Sequence, residues 1–85
     1  MTPPSPAVRR VLLDAARLVE RLMMGTNPET FAVHALDVLS GEDHSLFNQA
    51  DDALYSALGG RTLAHSREEV VSALRDAAGK GKEEA

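Results

Sequence analysis

A chain of 85 residues with 44% hydrophobic and 26% charged side chains predicts one small globular domain with a modest core. It contains no cysteine, which excludes disulfides, thiolate metal sites and a cysteine nucleophile. Its formal net charge of −4 lowers the expectation of nonspecific nucleic-acid binding, which depends on lysine and arginine.

The apolar residues favour a helical protein outside the membrane. No apolar run approaches the ~18 residues of a membrane span, and the start, MTPPSPAVRR, lacks the pattern of a signal peptide. We therefore expect a soluble, cytoplasmic protein. Aromatic residues make up only 4% of the chain, so alanine, leucine and valine must fill the core, which suits closely packed helices.

The first predicted helix spans about residues 6–24. Residues 1–5 are expected to be disordered, with Ser5 as N-cap and Pro6 at the first helical position. Gly25 is expected to end the helix. One apolar stripe recurs at three- and four-residue spacing and comprises Val8, Val11, Leu12, Ala15, Leu18, Val19 and Leu22.

The second and third helices are predicted over about residues 28–39 and 46–58. Asn27 is expected to cap the second helix, and either Asp43 or Ser45 the third. Glycines follow both helices and are expected to end them. The inward faces comprise Phe31, Ala32, Ala35, Leu36 and Leu39 in the second helix, and Phe47, Ala50, Leu54 and Leu58 in the third.

The stretch HSREEVVSALRDAAG, residues 65–79, predicts a fourth helix over about 67–78. Ser66 and Glu69 form a Ser-x-x-Glu capping box, and Gly79 stops the helix. Its inward stripe comprises Val70, Val71, Leu74, Ala77 and Ala78. A defined start, a defined end and one apolar face are typical of a structural brace.

The fold class that follows is all-α, a compact bundle of four helices in a single domain over residues 6–79. Residues 80–85 are expected to form a disordered tail. The conformation of residues 59–66 is left open, because the pattern there fits either an extended connector or an irregular turn.

The histidines provide only a weak indication of a metal site. His34 and Asp37 are three residues apart on one helical face and could ligate one ion, while His44 follows two acidic residues and His65 lies in another segment. No His-x-x-x-His or Glu-x-x-His pair is present. We therefore predict no metal and no cofactor, and interpret the three as ordinary histidines.

The sequence offers no catalytic constellation. Asp51 and Asp52 are adjacent and point about 100° apart on a helix, so they do not face each other. No Gly-x-Ser-x-Gly elbow and no glycine-rich phosphate loop is present. We expect a non-enzymatic protein with no catalytic residue.

Three arginines of the first helix form a candidate contact surface. Arg10, Arg17 and Arg21 follow one another at spacings of seven and four, and Asp14 among them can pair with Arg10 or Arg17. Such a stripe could dock an acidic partner or a phosphate backbone. The alternative is a solvated helix face with local ion pairs.

Tyr55 is a second candidate for partner binding. Tyrosine is a frequent interface anchor, although a half-buried boundary residue is the alternative interpretation. We do not predict a helix-turn-helix, because the third helix, LFNQADDALYSAL, has no lysine or arginine and would bring Asp51 and Asp52 to the phosphates.

Three segments carry a family resemblance: VLLDAARLVER, AVHALDVL and SREEVVSALRDAA. With them the chain resembles a family of small helical domains of unknown function from actinobacteria and their phages. The resemblance covers most of residues 8–78. The chain differs from the family in having no tryptophan and no cysteine in its middle helix. Leu63-Ala64-His65 stands where the family has Trp-Asn-Asp. It implies a helical domain and transfers no activity or site residue.

The leading functional hypothesis is a small, non-enzymatic protein-interaction module. One version of this hypothesis is that a phage encodes it. Its partner would be another protein, or a second copy in a homodimer, contacted through Arg10, Arg17 and Arg21 or through Tyr55. Two alternatives stay open. One is a DNA-binding regulator that uses the arginines, and the other is a minor metal-binding module at His34 and Asp37.

Overall fold

Four helices form the part of the chain that the computed structural model describes, which is residues 5–22, 27–59 and 66–79. They are α1 (Pro6–Glu20), α2 (Pro28–Ser40), α3 (His44–Ala57) and α4 (Arg67–Ala77). These ranges contain no strand. The prediction of an all-α bundle of four helices is confirmed.

Each helix begins where a polar side chain caps it. Ser5, Asn27 and Asp43 each accept a hydrogen bond from the backbone N–H three residues further on, at 3.3, 3.1 and 2.9 Å. Ser66 accepts from the Glu69 N–H at 3.1 Å, while the Glu69 carboxylate accepts from the Ser66 N–H at 2.8 Å. The predicted capping box is therefore present, and Asp43 rather than Ser45 caps α3.

The first helix is shorter than predicted. It ends at Glu20 rather than near residue 24, because Arg21 leaves the helical conformation. The Arg21 N–H donates to the Leu18 carbonyl and the Leu22 N–H donates to the Val19 carbonyl, each three residues back. The expected stop at Gly25 lies outside the described residues, as do residues 60–65 and the predicted disordered tail at 80–85.

The other helix ends differ from prediction by one or two residues. Helix α2 runs to Ser40, α3 begins at His44 and ends at Ala57, and α4 ends at Ala77. Helix α3 starts earlier because its cap is Asp43. Gly41, with φ of 64°, follows α2 and takes a left-handed conformation that glycine adopts without strain.

The core lies where the four apolar stripes meet, and α1 contacts all three other helices. The largest fully buried side chains are Leu12, Val19, Leu36, Val70 and Leu74. The predicted inward faces are largely confirmed, with one error in α1: Leu18 is 39% exposed and Ala16 is buried instead. Leu18 lies at the edge of the apolar stripe, next to the face of α1 that is exposed to solvent.

Polar contacts add to the packing of α4 on α1. The Arg9 guanidinium donates to the Ala78 carbonyl at 3.2 Å, and that of Arg67 donates to the Leu22 carbonyl at 2.8 Å. At the surface, Arg75 pairs with Glu20 at 2.6 Å. Helix α4 is thus held to α1 near both of its ends.

No helix in the described ranges is long and apolar enough to cross a membrane.

We expect Leu74→Ala to destabilise the bundle severely. Leu74 is fully buried, and such a truncation costs about 3 kcal/mol of the free energy of unfolding because it leaves a cavity. Val38→Ala is the matched control, since Val38 is 62% exposed and its truncation is expected to cost less than about 0.5 kcal/mol. Urea unfolding followed by circular dichroism measures both. Equal effects would show that the core is not where the structure places it.

Candidate binding groove between the second and third helices

A concave surface, here called the groove, lies between α2 and α3. Its volume is about 850 Å³. The α2 side provides Glu29, Thr30, Val33, His34 and Asp37, with Asn27 just before the helix. The α3 side provides Phe47, Asp51, Leu54, Tyr55 and Leu58. On both sides these residues recur at helical spacing, so each helix presents one continuous face to the groove.

Much of the groove surface is apolar and open to solvent. Val33 is 38% exposed and Tyr55 is 50% exposed, which makes them two of the largest exposed apolar side chains in the described residues. Phe47 and Leu58 are half-buried, and Leu54 closes the base at 3% exposure. An exposed apolar surface of this kind, framed by polar groups, is typical of a binding site.

The charged side chains that line the groove are acidic. Glu29 and Asp51 are half-buried, and Asp37 is exposed. No lysine or arginine among the described residues lines it. Burial raises the pKa of Asp51 above its ordinary value, and the neighbouring Asp52 carboxylate raises it further. A cation placed in the groove would therefore relieve an unfavourable charge as well as form new contacts.

The three predicted contact arginines lie outside the groove. Arg10, Arg17 and Arg21 are all exposed on α1 or directly after it. The Arg17 guanidinium lies 3.5 Å from the Asp14 carboxylate, one of the two pairings that the spacing allowed. The structure therefore separates the predicted contact residues into two surfaces: the arginine face of α1, and the groove, which Tyr55 lines.

The histidines do not converge. His34 is exposed and lines the groove together with Asp37, whereas His44 is exposed in the first turn of α3. His65 lies outside the described residues. Within residues 5–22, 27–59 and 66–79, no group of three or more histidine, aspartate or glutamate side chains is placed to hold a metal ion.

A smaller depression of about 430 Å³ lies between α3 and α4. It is lined by Glu68, Glu69 and Asp76 together with small side chains such as Ala57 and Ser72. The Glu69 carboxylate is already engaged in the capping box of α4. This depression offers little apolar surface, so the α2–α3 groove is the stronger candidate site.

Sequence reasoning identified Tyr55 but missed the groove itself. Val33 follows Ala32 of the predicted inward face of α2, but it was assigned neither to that face nor to a binding surface. Its spacing from Thr30 and Asp37, at three and four residues, was the available signal for a second, outward face. That this face of α2 and the Phe47–Leu58 side of α3 form one concavity follows only from how the helices pack.

Comparisons with known proteins give no match. No protein-family model matches the chain, and neither a curated protein sequence nor a solved structure is significantly similar to it.

We expect Asp51→Asn to stabilise the fold at neutral pH. The raised pKa of Asp51 means that its charged form is disfavoured in the folded state, so this penalty is present above the folded-state pKa. The penalty disappears as the pH falls below the pKa of an aspartate in the unfolded chain, about 3.9. Asparagine has a helix propensity close to that of aspartate, which makes the substitution conservative.

Urea unfolding from pH 7 to pH 3 measures this effect. The gain in the free energy of unfolding should be positive at pH 7 and should fade towards pH 3. Asp52→Asn is the control, because Asp52 is exposed and its substitution removes only the mutual repulsion. A gain for Asp51→Asn that is unchanged at pH 3 would contradict the assignment.

Proposed function

We propose that the protein is a non-enzymatic interaction module that binds another protein through the α2–α3 groove, with Tyr55 as an anchor. The observation that carries this proposal is that Val33 and Tyr55 are both exposed in one concave surface whose base is the buried Leu54 side chain. A small domain gains stability by covering such side chains, and leaving them exposed favours a role in binding.

The shape of the groove supports a protein segment as the occupant rather than an enclosed small molecule. The groove lies between two helices and is open to solvent rather than enclosed, and such grooves receive amphipathic helices. Tyrosine at such a site combines a large apolar area with a hydroxyl that stays hydrated or bonds to the partner.

The ionisable groups support a non-enzymatic role. Catalytic acids and bases require burial or close charge partners to tune their pKa values. The two described histidines are exposed, and Asp51 is only half-buried on an open surface. The cytoplasm of an actinobacterium, or of a cell infected by one of its phages, is the setting that the family resemblance implies, and we propose it as part of the same hypothesis.

The arginine face of α1 is the second candidate contact surface. Its arginines line neither the groove nor the smaller depression, Arg17 is already paired with Asp14, and Leu18 is the one large apolar side chain of α1 that is exposed. A concave apolar site buries more area per residue, so the groove is favoured. DNA binding would depend on this α1 face and would be lost in an Arg10→Glu, Arg17→Glu, Arg21→Glu triple variant, with the groove intact.

Selection from a random peptide library displayed on phage tests the proposed function directly. We expect wild-type protein to enrich peptides that bind it, and we expect Val33→Ser with Tyr55→Ser to abolish their binding. Both side chains are at least 38% exposed, so the fold should survive. Circular dichroism and the melting temperature check this.

Two controls locate the binding. Val38→Ser changes an exposed valine on the same helix outside the groove, and the triple arginine variant changes the α1 face. Both should retain the enriched peptides. If no peptide is enriched, or if the groove variant binds as well as wild type, the groove is not the interaction surface.

A further inference from the structure

We infer that the occupant of the groove is a basic amphipathic helix of a partner protein. Its apolar side would pack on Val33 and Tyr55, and its lysine or arginine side chains would lie against Asp37 and Asp51. This inference rests on the proposed function and adds the chemistry of the partner.

The dimensions of the groove fit a short helix. On the α3 side it extends from Phe47 to Leu58, which is roughly 16 Å at the rise of an α-helix. About three helical turns therefore fit along it, and they would present apolar anchors at i, i+3 or i+4 and i+7. The apolar lining residues extend along this length, from Phe47 at one end to Leu58 at the other.

Charge complementarity determines the polar side of the partner. The groove lining contains three carboxylates, those of Glu29, Asp37 and Asp51, and His34 is its one basic side chain among the described residues. An acidic or neutral helix would leave Asp51, already half-buried, with less water and no compensating charge. A lysine or arginine at that position compensates for the lost hydration.

A second copy of this chain is a poorer fit for the groove. The arginine face of α1 supplies the positive charge, but its apolar contribution is Leu18 alone, at 39% exposure. A helix seated in a groove needs several apolar anchors on one side, and the other large apolar side chains of α1 are buried in the bundle or packed against it. Self-association through the groove is therefore an outcome that the test must detect.

The experiment uses three synthetic peptides of about 15 residues, a length at which helices become stable. The first has leucine on one helical face and lysine elsewhere. The second keeps the leucines and has glutamate in place of lysine. The third has the composition of the first in a scrambled order without an apolar face. Calorimetry with the full chain measures affinity, and light scattering of the chain alone measures self-association.

We expect the basic amphipathic peptide to bind, and the acidic and scrambled peptides to bind at least about tenfold more weakly. Affinity for the basic peptide should fall as salt rises. Removing two groove carboxylates with Asp37→Asn and Asp51→Asn should weaken it by about tenfold. The matched control, Glu42→Gln with Glu68→Gln, removes two exposed carboxylates outside the groove lining and should bind as wild type.

The possible failures are distinguishable. If the library enriches peptides but the basic and acidic probes bind equally, the groove binds proteins and the charge inference is wrong. If the basic probe binds equally well after removal of Asp37 and Asp51, the groove is not what recognises its charge, and the inference is wrong. A dimer that Val33→Ser with Tyr55→Ser dissociates would identify a second copy as the occupant and overturn it. Failure of the basic probe to bind would also overturn it.

Discussion

The burial of the α1 stripe against the other three helices is the constraint on which the rest of the molecule depends. Leu12, Ala15 and Val19 are completely buried, and α1 is in contact with α2, α3 and α4. The core is built mainly from alanine, valine and leucine, so the helices can approach closely but fill only a small volume. Once the inward stripes are packed, Val33 of α2 and Tyr55 of α3 remain exposed. Together with Phe47 and Leu58, which are only half-buried at the margin of the core, they form the groove.

The helix starts were predictable because capping is local. A serine, asparagine or aspartate side chain needs only the backbone N–H three residues away, so Ser5, Asn27 and Ser66 could be assigned from sequence. The end of α1 was not, because Arg21 leaves the helix four residues before the glycine that looked like the stop. Leu18 was misplaced for a related reason: periodicity identifies a face, but the width that neighbouring helices cover depends on tertiary packing.

The candidate site was predictable only in part. Tyr55 could be singled out because tyrosine has an apolar ring and a polar end, but its partners in space come from α2, and their relative rotation is set by the core. The arginines were visible as a stripe, yet the structure places them outside the groove, with Arg17 paired to Asp14. Asp37, considered as a metal ligand beside His34, and Asp51, considered as a catalytic residue beside Asp52, instead line the apolar groove.

The walls of the groove come from consecutive helices joined by only Gly41, Glu42 and Asp43. Their pairing therefore involves short sequence separation, whereas α1 and α4 bring distant parts of the chain together through contacts such as Arg9 with Ala78. Contacts between near neighbours close fastest during folding, because little chain entropy is lost. The α2–α3 hairpin would accordingly assemble early, so that the surface forms within one short segment as the chain emerges and the docking of α4 on α1 completes the domain around it.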